Sequence, residues 1–135
     1  MSSTKQALSI AQALTTSLTA STNTSITEGY NYHTLELAWT PGTSGNILTV
    51  TIEHRALNAV TNGPWTQDMK WNESPAGTLT RQVLQLKETA TGTTELGLYY
   101  TFPNHGDEYR IKVAESEDGS STKGTLSAWL TSSNS

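Results

Sequence analysis

The side chains in this sequence that could do chemistry are three histidines, a scatter of carboxylates and four tryptophans. His33, His54 and His105 lie in separate segments, and no two stand at the helical spacing of a zinc-binding pair. His33 falls on the apolar face of a predicted strand and His105 in a predicted turn, so structural roles are expected for them. Cysteine is absent, which removes thiolate metal sites and disulfides together. No Gly-x-Ser-x-Gly elbow occurs, and no glycine-rich phosphate loop precedes a helix, so hydrolase and nucleotide-binding motifs are missing.

Two carboxylates facing each other across a cleft would suffice for a glycosidase. Glu36, Glu53, Asp68, Glu73, Asp107 and Glu108 are the candidates, but their spacing singles out no pair, and no enzymatic activity is expected. The segment Glu115-Ser116-Glu117-Asp118-Gly119-Ser120-Ser121 offers hard oxygens to calcium, yet it lacks the alternation and the distal glutamate of an EF-hand. A solvated turn around the Asp-Gly pair is the better reading. Asp107 and Glu108, just ahead of a strand, read as charged rim residues. No cofactor or metal is called for.

The aromatic residues carry more information. Trp65 and Trp71 flank an irregular connection, where they either cap the ends of a core or stand exposed to stack on sugars and anchor interfaces. Trp129 shares its side of the last predicted strand with Thr125, Ser127 and Thr131, and Tyr99 lies opposite the face formed by Leu96, Leu98, Tyr100 and Phe102. An outward Trp129 and an outward Tyr99 point to one contact surface, unless a second layer such as the N-terminal segment covers them.

Positioning these groups falls to strands. His33, Leu35, Leu37 and Trp39 alternate with polar or small residues, the turn chemistry of Pro41 to Asn46 follows, and Leu48, Val50 and Ile52 alternate in turn. These two runs are expected to form a hairpin with a mobile, glycine-containing tip. In the N-terminal part Leu8, Ile10, Leu14, Leu18 and Ile26 occupy even positions, which suits extended segments with one buried face; a short helix over Gln6 to Leu14 also fits the spacing. Asn58 to Gly77 reads as a long connection with one short edge strand. Strands are expected over Leu79 to Lys87, Glu95 to Phe102, Glu108 to Ala114 and Gly124 to Thr131, with Leu126, Ala128 and Leu130 of the last turned inward. About eight short strands with turns between them predict a single antiparallel β-sandwich, jelly-roll or immunoglobulin-like. Residues 1–20 are expected to form an extended N-terminal arm or first strand, and 21–135 the sandwich.

At 135 residues the chain has the size of one domain, and abundant β-branched threonine favours pleated strands. A net charge of -4, with 15% charged residues, gives no basic field for nucleic acid or an anionic membrane. No window approaches the roughly 20 apolar residues that span a bilayer. The first residues do not look like a cleaved leader, so synthesis in a cytoplasm is expected, with the sequons at Asn23 and Asn72 left unmodified.

Several stretches together resemble small β-sandwich structural proteins of tailed bacteriophages, of the capsid decoration or cement type. They are the Ser/Thr-rich segment Thr15 to Thr27, Leu48-Thr49-Val50-Thr51-Ile52-Glu53-His54 followed by Gly63-Pro64-Trp65-Thr66, and the ending Tyr109-Arg110-Ile111-Lys112-Val113-Ala114-Glu115, polar loop, Gly124-Thr125-Leu126-Ser127-Ala128-Trp129-Leu130. The resemblance implies a virion protein that adds to an assembled shell, with the major capsid protein or other virion proteins as partners, often as a homo-trimer or dimer. Many weak contacts on a repeating lattice would then act multivalently. On that reading Trp65, Trp71, Tyr99, Trp129, Leu8, Ile10 and Leu14 are the interface candidates, and the N-terminal arm could complete a neighbour's sheet. A head-tail connector, tail or fibre accessory domain is one alternative. Another is a carbohydrate-binding module or lectin presenting Trp65, Trp71 and Tyr32 to glycans.

Overall fold

Alternation of apolar and polar residues becomes extended backbone over more than half of the described residues. The computed structural model describes residues 3–58, 61–73, 77, 79–116 and 122–134, with side chains described for all of these except 70–73 and 79–82. It contains β1 (Ser3–Ala13), β2 (Thr19–Ala20), β3 (Ser25–Ile26), β4 (Tyr32–Thr40), β5 (Ile47–Arg55) and β6 (Thr66–Gln67). Then follow β7 (Met69–Glu73), β8 (Leu79–Val83), β9 (Gln85–Thr89), β10 (Leu96–Pro103), β11 (Glu108–Ser116) and β12 (Thr125–Ser133). There is no helix among the described residues, and the extended reading of Gln6 to Leu14 holds over the helical one.

One sheet runs β1-β12-β4-β10. The other runs β2-β11-β5-β6, with β3 also on β11 and β9 also on β5, while β7 and β8 pair as a separate ribbon. Every pairing is antiparallel. The chain visits the two sheets alternately, β1, then β2 and β3, then β4, then β5 with β9, then β10, β11 and β12. Strands from the two ends of the chain thereby lie side by side, β12 between β1 and β4, β11 between β3 and β5. That interleaving is the strand order of a jelly roll, and it removes the immunoglobulin-like alternative.

The expected hairpin of β4 and β5 does not form, because the two strands belong to different sheets. The Pro41 to Asn46 segment is the corner between them, and it is pinned: Gly45 N–H donates to Ala90 O (2.8 Å), Ala90 N–H to Asn46 O (2.8 Å), and Asn46 N–H to Thr43 O (3.2 Å). Turn chemistry marks a change of direction, not which sheet receives the next strand.

Around Asp68 and Leu84 the edge of β5 is shared. β9 pairs with Ile47 to Thr51 and β6 with Glu53 and His54. Between them Asp68 N–H donates to Ile52 O (2.8 Å) and Leu84 N–H to Asp68 O (2.9 Å), so the β7–β8 ribbon branches off the sheet there. The single strand expected over Leu79 to Lys87 is therefore two, and the connection from Asn58 to Gly77 holds two strands instead of one.

Residues 3–13 form the first strand, paired with β12 of the same chain. The even-position pattern breaks inside it. The register shifts between Ala7 and Ser9 and again between Ser9 and Gln12, and Ala11 has φ 49°, in the left-handed region. Leu8 and Leu14 turn into the core, whereas Ile10 is 63% exposed, and Leu18 and Ile26 also face out.

Core packing follows the predicted alternation elsewhere. Leu35, Leu37, Trp39, Leu126, Ala128, Leu130 and Phe102 of the first sheet meet Leu48, Val50, Ile52, Tyr109, Ile111 and Val113 of the second. Each large aliphatic in this layer contributes about 1.5–3 kcal/mol by leaving water. At one end of the core His33 packs against Phe102 (5.3 Å between ring centroids) and Tyr109 (4.9 Å). Its Nε2 lies 2.6 Å from Asn104 Oδ1, which only accepts, so Nε2 carries the proton and Nδ1 accepts from the Ser132 hydroxyl at 2.8 Å. Burial lowers the pKa of His33 against the opposing pull of the Asn104 hydrogen bond, and the neutral ring completes this network. Burial likewise raises the Tyr109 phenol well above its ordinary range, and its oxygen accepts from His105 N–H (2.6 Å).

Candidate functional site

The outer face of the β1-β12-β4-β10 sheet gathers the two residues expected to point outward. Ala7 pairs with Trp129, Trp129 with Glu36, and Glu36 with Tyr99, so these four form one row across all four strands. Directly paired residues share a face, and two strand spacings put Trp129 and Tyr99 about 10 Å apart. Tyr99 is 79% exposed and Trp129 is half-buried. No second layer covers Tyr99 among the described residues. Lys5 reaches over from β1, with Nζ 5.6 Å from the Trp129 ring centroid and 3.0 Å from Glu36 Oε2. An exposed pair of this kind contributes little to stability, under about 1 kcal/mol, and leaves the Lys5 ammonium over the indole. Apart from Lys5, the residues beside the row are small or hydroxyl-bearing, Thr34, Ala38, Gly97, Thr101, Ser127 and Thr131. The result is a weakly charged surface bearing the exposed Tyr99, the half-buried Trp129 beneath Lys5 and, at the start of β4, the exposed Tyr32.

Trp65 lies on the other sheet and is already engaged. The Arg55 and Arg110 guanidinium carbons each sit 4.4 Å from its ring centroid. Arg55 donates to Glu108 (2.5 Å), directly across the strand pair, and Arg110 donates to Glu53 (2.6 Å), again directly across. Glu53 and Glu108 are both buried, so Glu108 is part of this network and not a rim residue. Four charges compensate one another beneath the indole, and Trp65 covers them. Trp71 lies in β7 with its backbone opposite Arg81, and its side chain is outside the described part. Of the N-terminal candidates, Leu8 and Leu14 are core residues and Ile10 alone faces outward.

Two histidines that the sequence separates come together around a buried carboxylate. His54 Nδ1 bonds Asp68 Oδ1, and His105 Nδ1 lies 3.3 Å from Asp68 Oδ2. They border a cleft of about 380 Å³ lined also by Arg55, Pro64, Thr66 and Asp107. Asp107 is occupied, its Oδ2 accepting Leu57 N–H at 3.0 Å. Among the described residues no group of three or more His, Cys, Asp and Glu is arranged to hold a metal ion. The spacing of residues 54, 68 and 105 gives no hint of this cluster, since it depends on the β6 edge pairing and the β10–β11 turn.

Glu115 overturns its reading as part of a solvated or calcium-binding loop. It ends the inward row of β11, fully buried, and its carboxylate accepts from Trp39 Nε1 (2.8 Å), Gly42 N–H (2.9 Å), Asn46 Nδ2 (2.6 Å) and Gly124 N–H (3.0 Å). Burial alone would raise its pKa, but these four donors together hold it below the usual carboxylate value. The carboxylate thus ties the β4–β5 corner to the start of β12. Gly124 is required there, because a Cβ would lie 1.7 Å from Thr40 O. Residues 117–121 of the expected loop lie outside the described part.

Comparison with protein-family models, curated proteins and solved structures returns no match to this chain. The class defined by the strand order is a jelly-roll domain, a fold shared by capsid proteins, lectins and cupins, and function has to be argued from its surfaces.

Proposed function

We propose that the chain is a virion structural protein of the capsid-decoration type, which binds an assembled phage shell through the outer face of its β1-β12-β4-β10 sheet. The observation that carries this reading is the Trp129–Glu36–Tyr99 row, two aromatic side chains among mostly small and hydroxyl-bearing neighbours on a face that also exposes Tyr32. Tryptophan and tyrosine are among the usual anchors of protein interfaces. The interior is filled by Trp39, Leu35, Tyr109 and their neighbours, which supports a partner met at the outer surface. On a shell the same small contact repeats at every lattice position, which makes a modest interface sufficient. The partner is then the major capsid protein or another virion protein, and the location is the surface of a virion assembled in the host cytoplasm. A tail or fibre accessory role would use the same face on a different lattice.

A lectin reading that relies on Trp65 has less support, since two guanidinium groups already lie against that ring. The test is to mix the purified chain with empty shells of the phage that encodes it. Saturable co-sedimentation and a raised shell melting temperature are expected. Absence of the chain from the shell pellet contradicts the reading.

A further inference from the structure

The two sheets present edges of very different character. β1 is interrupted by its two register shifts and carries Lys5, and β2, β3 and β6 are two residues each. β9 carries Lys87 and Glu88. Irregular, short or charged edges resist pairing with another chain. β10 has none of these protections. It is eight residues long, Leu-Gly-Leu-Tyr-Tyr-Thr-Phe-Pro, uncharged, and regular in its pairing with β4 from Leu96 to Pro103. Among the described residues no strand pairs with its other side. Beside it the sandwich is open between β9 and β10, leaving a cleft of about 150 Å³ lined mainly by apolar side chains, Leu37, Leu48, Val50, Leu86, Leu98 and Tyr100, together with Lys87 and Glu88 of β9.

We infer that this edge is a dimer interface, in which β10 pairs antiparallel with β10 of a second copy of the chain. The sequence of the strand is what selects a second copy. In a two-fold antiparallel pair every residue faces its own segment reversed, so any charge near the axis meets its like, and β10 has none. With Tyr99 on the axis, Leu98 faces the second copy's Tyr100, Leu96 its Phe102, and Gly97 its Thr101. The inward row then meets only apolar residues, continuing the core across the junction and covering the cleft. The outward row places the two Tyr99 rings side by side, a favourable cross-strand pair. The pairing joins two four-stranded sheets into one of eight strands, bearing two Trp129–Glu36–Tyr99 rows on a single face. It does not depend on what that face binds.

The isolated chain tests this directly. Sedimentation equilibrium should give twice the 14.6 kDa chain mass, and Tyr99→Lys, which places two ammonium groups together on the axis, should return the mass to that of one chain. Tyr99→Phe should remain dimeric. Because Tyr99 is 79% exposed, the lysine variant should keep the β-sheet circular dichroism of the parent, which separates loss of pairing from loss of fold. Hydrogen exchange supplies a second readout: β10 amides that do not bond to β4 should slow as protein concentration rises. A monomer at every accessible concentration, or a dimer that survives Tyr99→Lys, overturns the inference.

Discussion

Trp129 and Tyr99 lie on either side of the same residue, each directly opposite Glu36 in the sheet, one from β12 and the other from β10. Thirty positions apart in sequence, they become neighbours because the jelly-roll order places β4 between those two strands. The half-buried Trp129 contributes to that face more than to the core. Trp129→Ala should lower stability by no more than about 2 kcal/mol, as measured by denaturant unfolding, because the inward row beside it is unaltered. Collapse of the fold would place Trp129 in the core instead.

The break in β1 makes two neighbouring aliphatics behave differently. Leu8→Ala should destabilise by about 2–5 kcal/mol, the range for a buried leucine, whereas Ile10→Lys should stay within about 0.5 kcal/mol of the parent. Equal losses would mean that the strand alternates regularly and that Ile10 is packed.

Glu115 should be the most sensitive polar residue. Glu115→Ala leaves four donors and a buried space, and a loss of at least about 3 kcal/mol is expected. Gly124→Ala should act comparably, since its Cβ would collide with Thr40 O. Unchanged melting temperatures in both variants would show that the corner is not held by this carboxylate.

Acidification should lower the stability of the fold in two successive steps. Burial holds the folded His33 below the ordinary imidazole pKa of 6.5, so the unfolded chain binds the extra proton first. Its contribution is complete above that value and is lost as the pH falls below it. Glu115, held below 4.5 in the fold, contributes fully above that value and loses its contribution as the pH drops further. Melting temperature measured against pH should show the upper decline in the parent and not in His33→Gln. A flat profile between neutrality and the carboxylate range would contradict the buried neutral imidazole.

What could be read from the sequence follows from how local each feature is. The inward sets His33, Leu35, Leu37, Trp39 and Leu126, Ala128, Leu130 are properties of single strands, and period 2 reveals them. The outward Trp129 and Tyr99 are legible for the same reason. The β4–β5 corner, the branching of the ribbon at Asp68, and the meeting of His54 with His105 all depend on which strands become neighbours. Local pattern does not encode that choice. Glu115 was hidden by its acidic neighbours, because a run of Glu and Asp reads as solvent-facing unless its donors, Trp39, Gly42, Asn46 and Gly124, are known to converge. Ile10 was hidden by a bulge that no residue type announces.

Binding to a shell through the outer face is tested most directly by titrating empty phage shells with the parent chain and with Trp129→Ala under identical conditions, counting copies bound per shell after sedimentation. The parent should bind saturably, and the folded Trp129→Ala protein at least about tenfold more weakly, a loss of about 1.4 kcal/mol per contact. Equal binding by the two proteins would contradict a docking surface on this face.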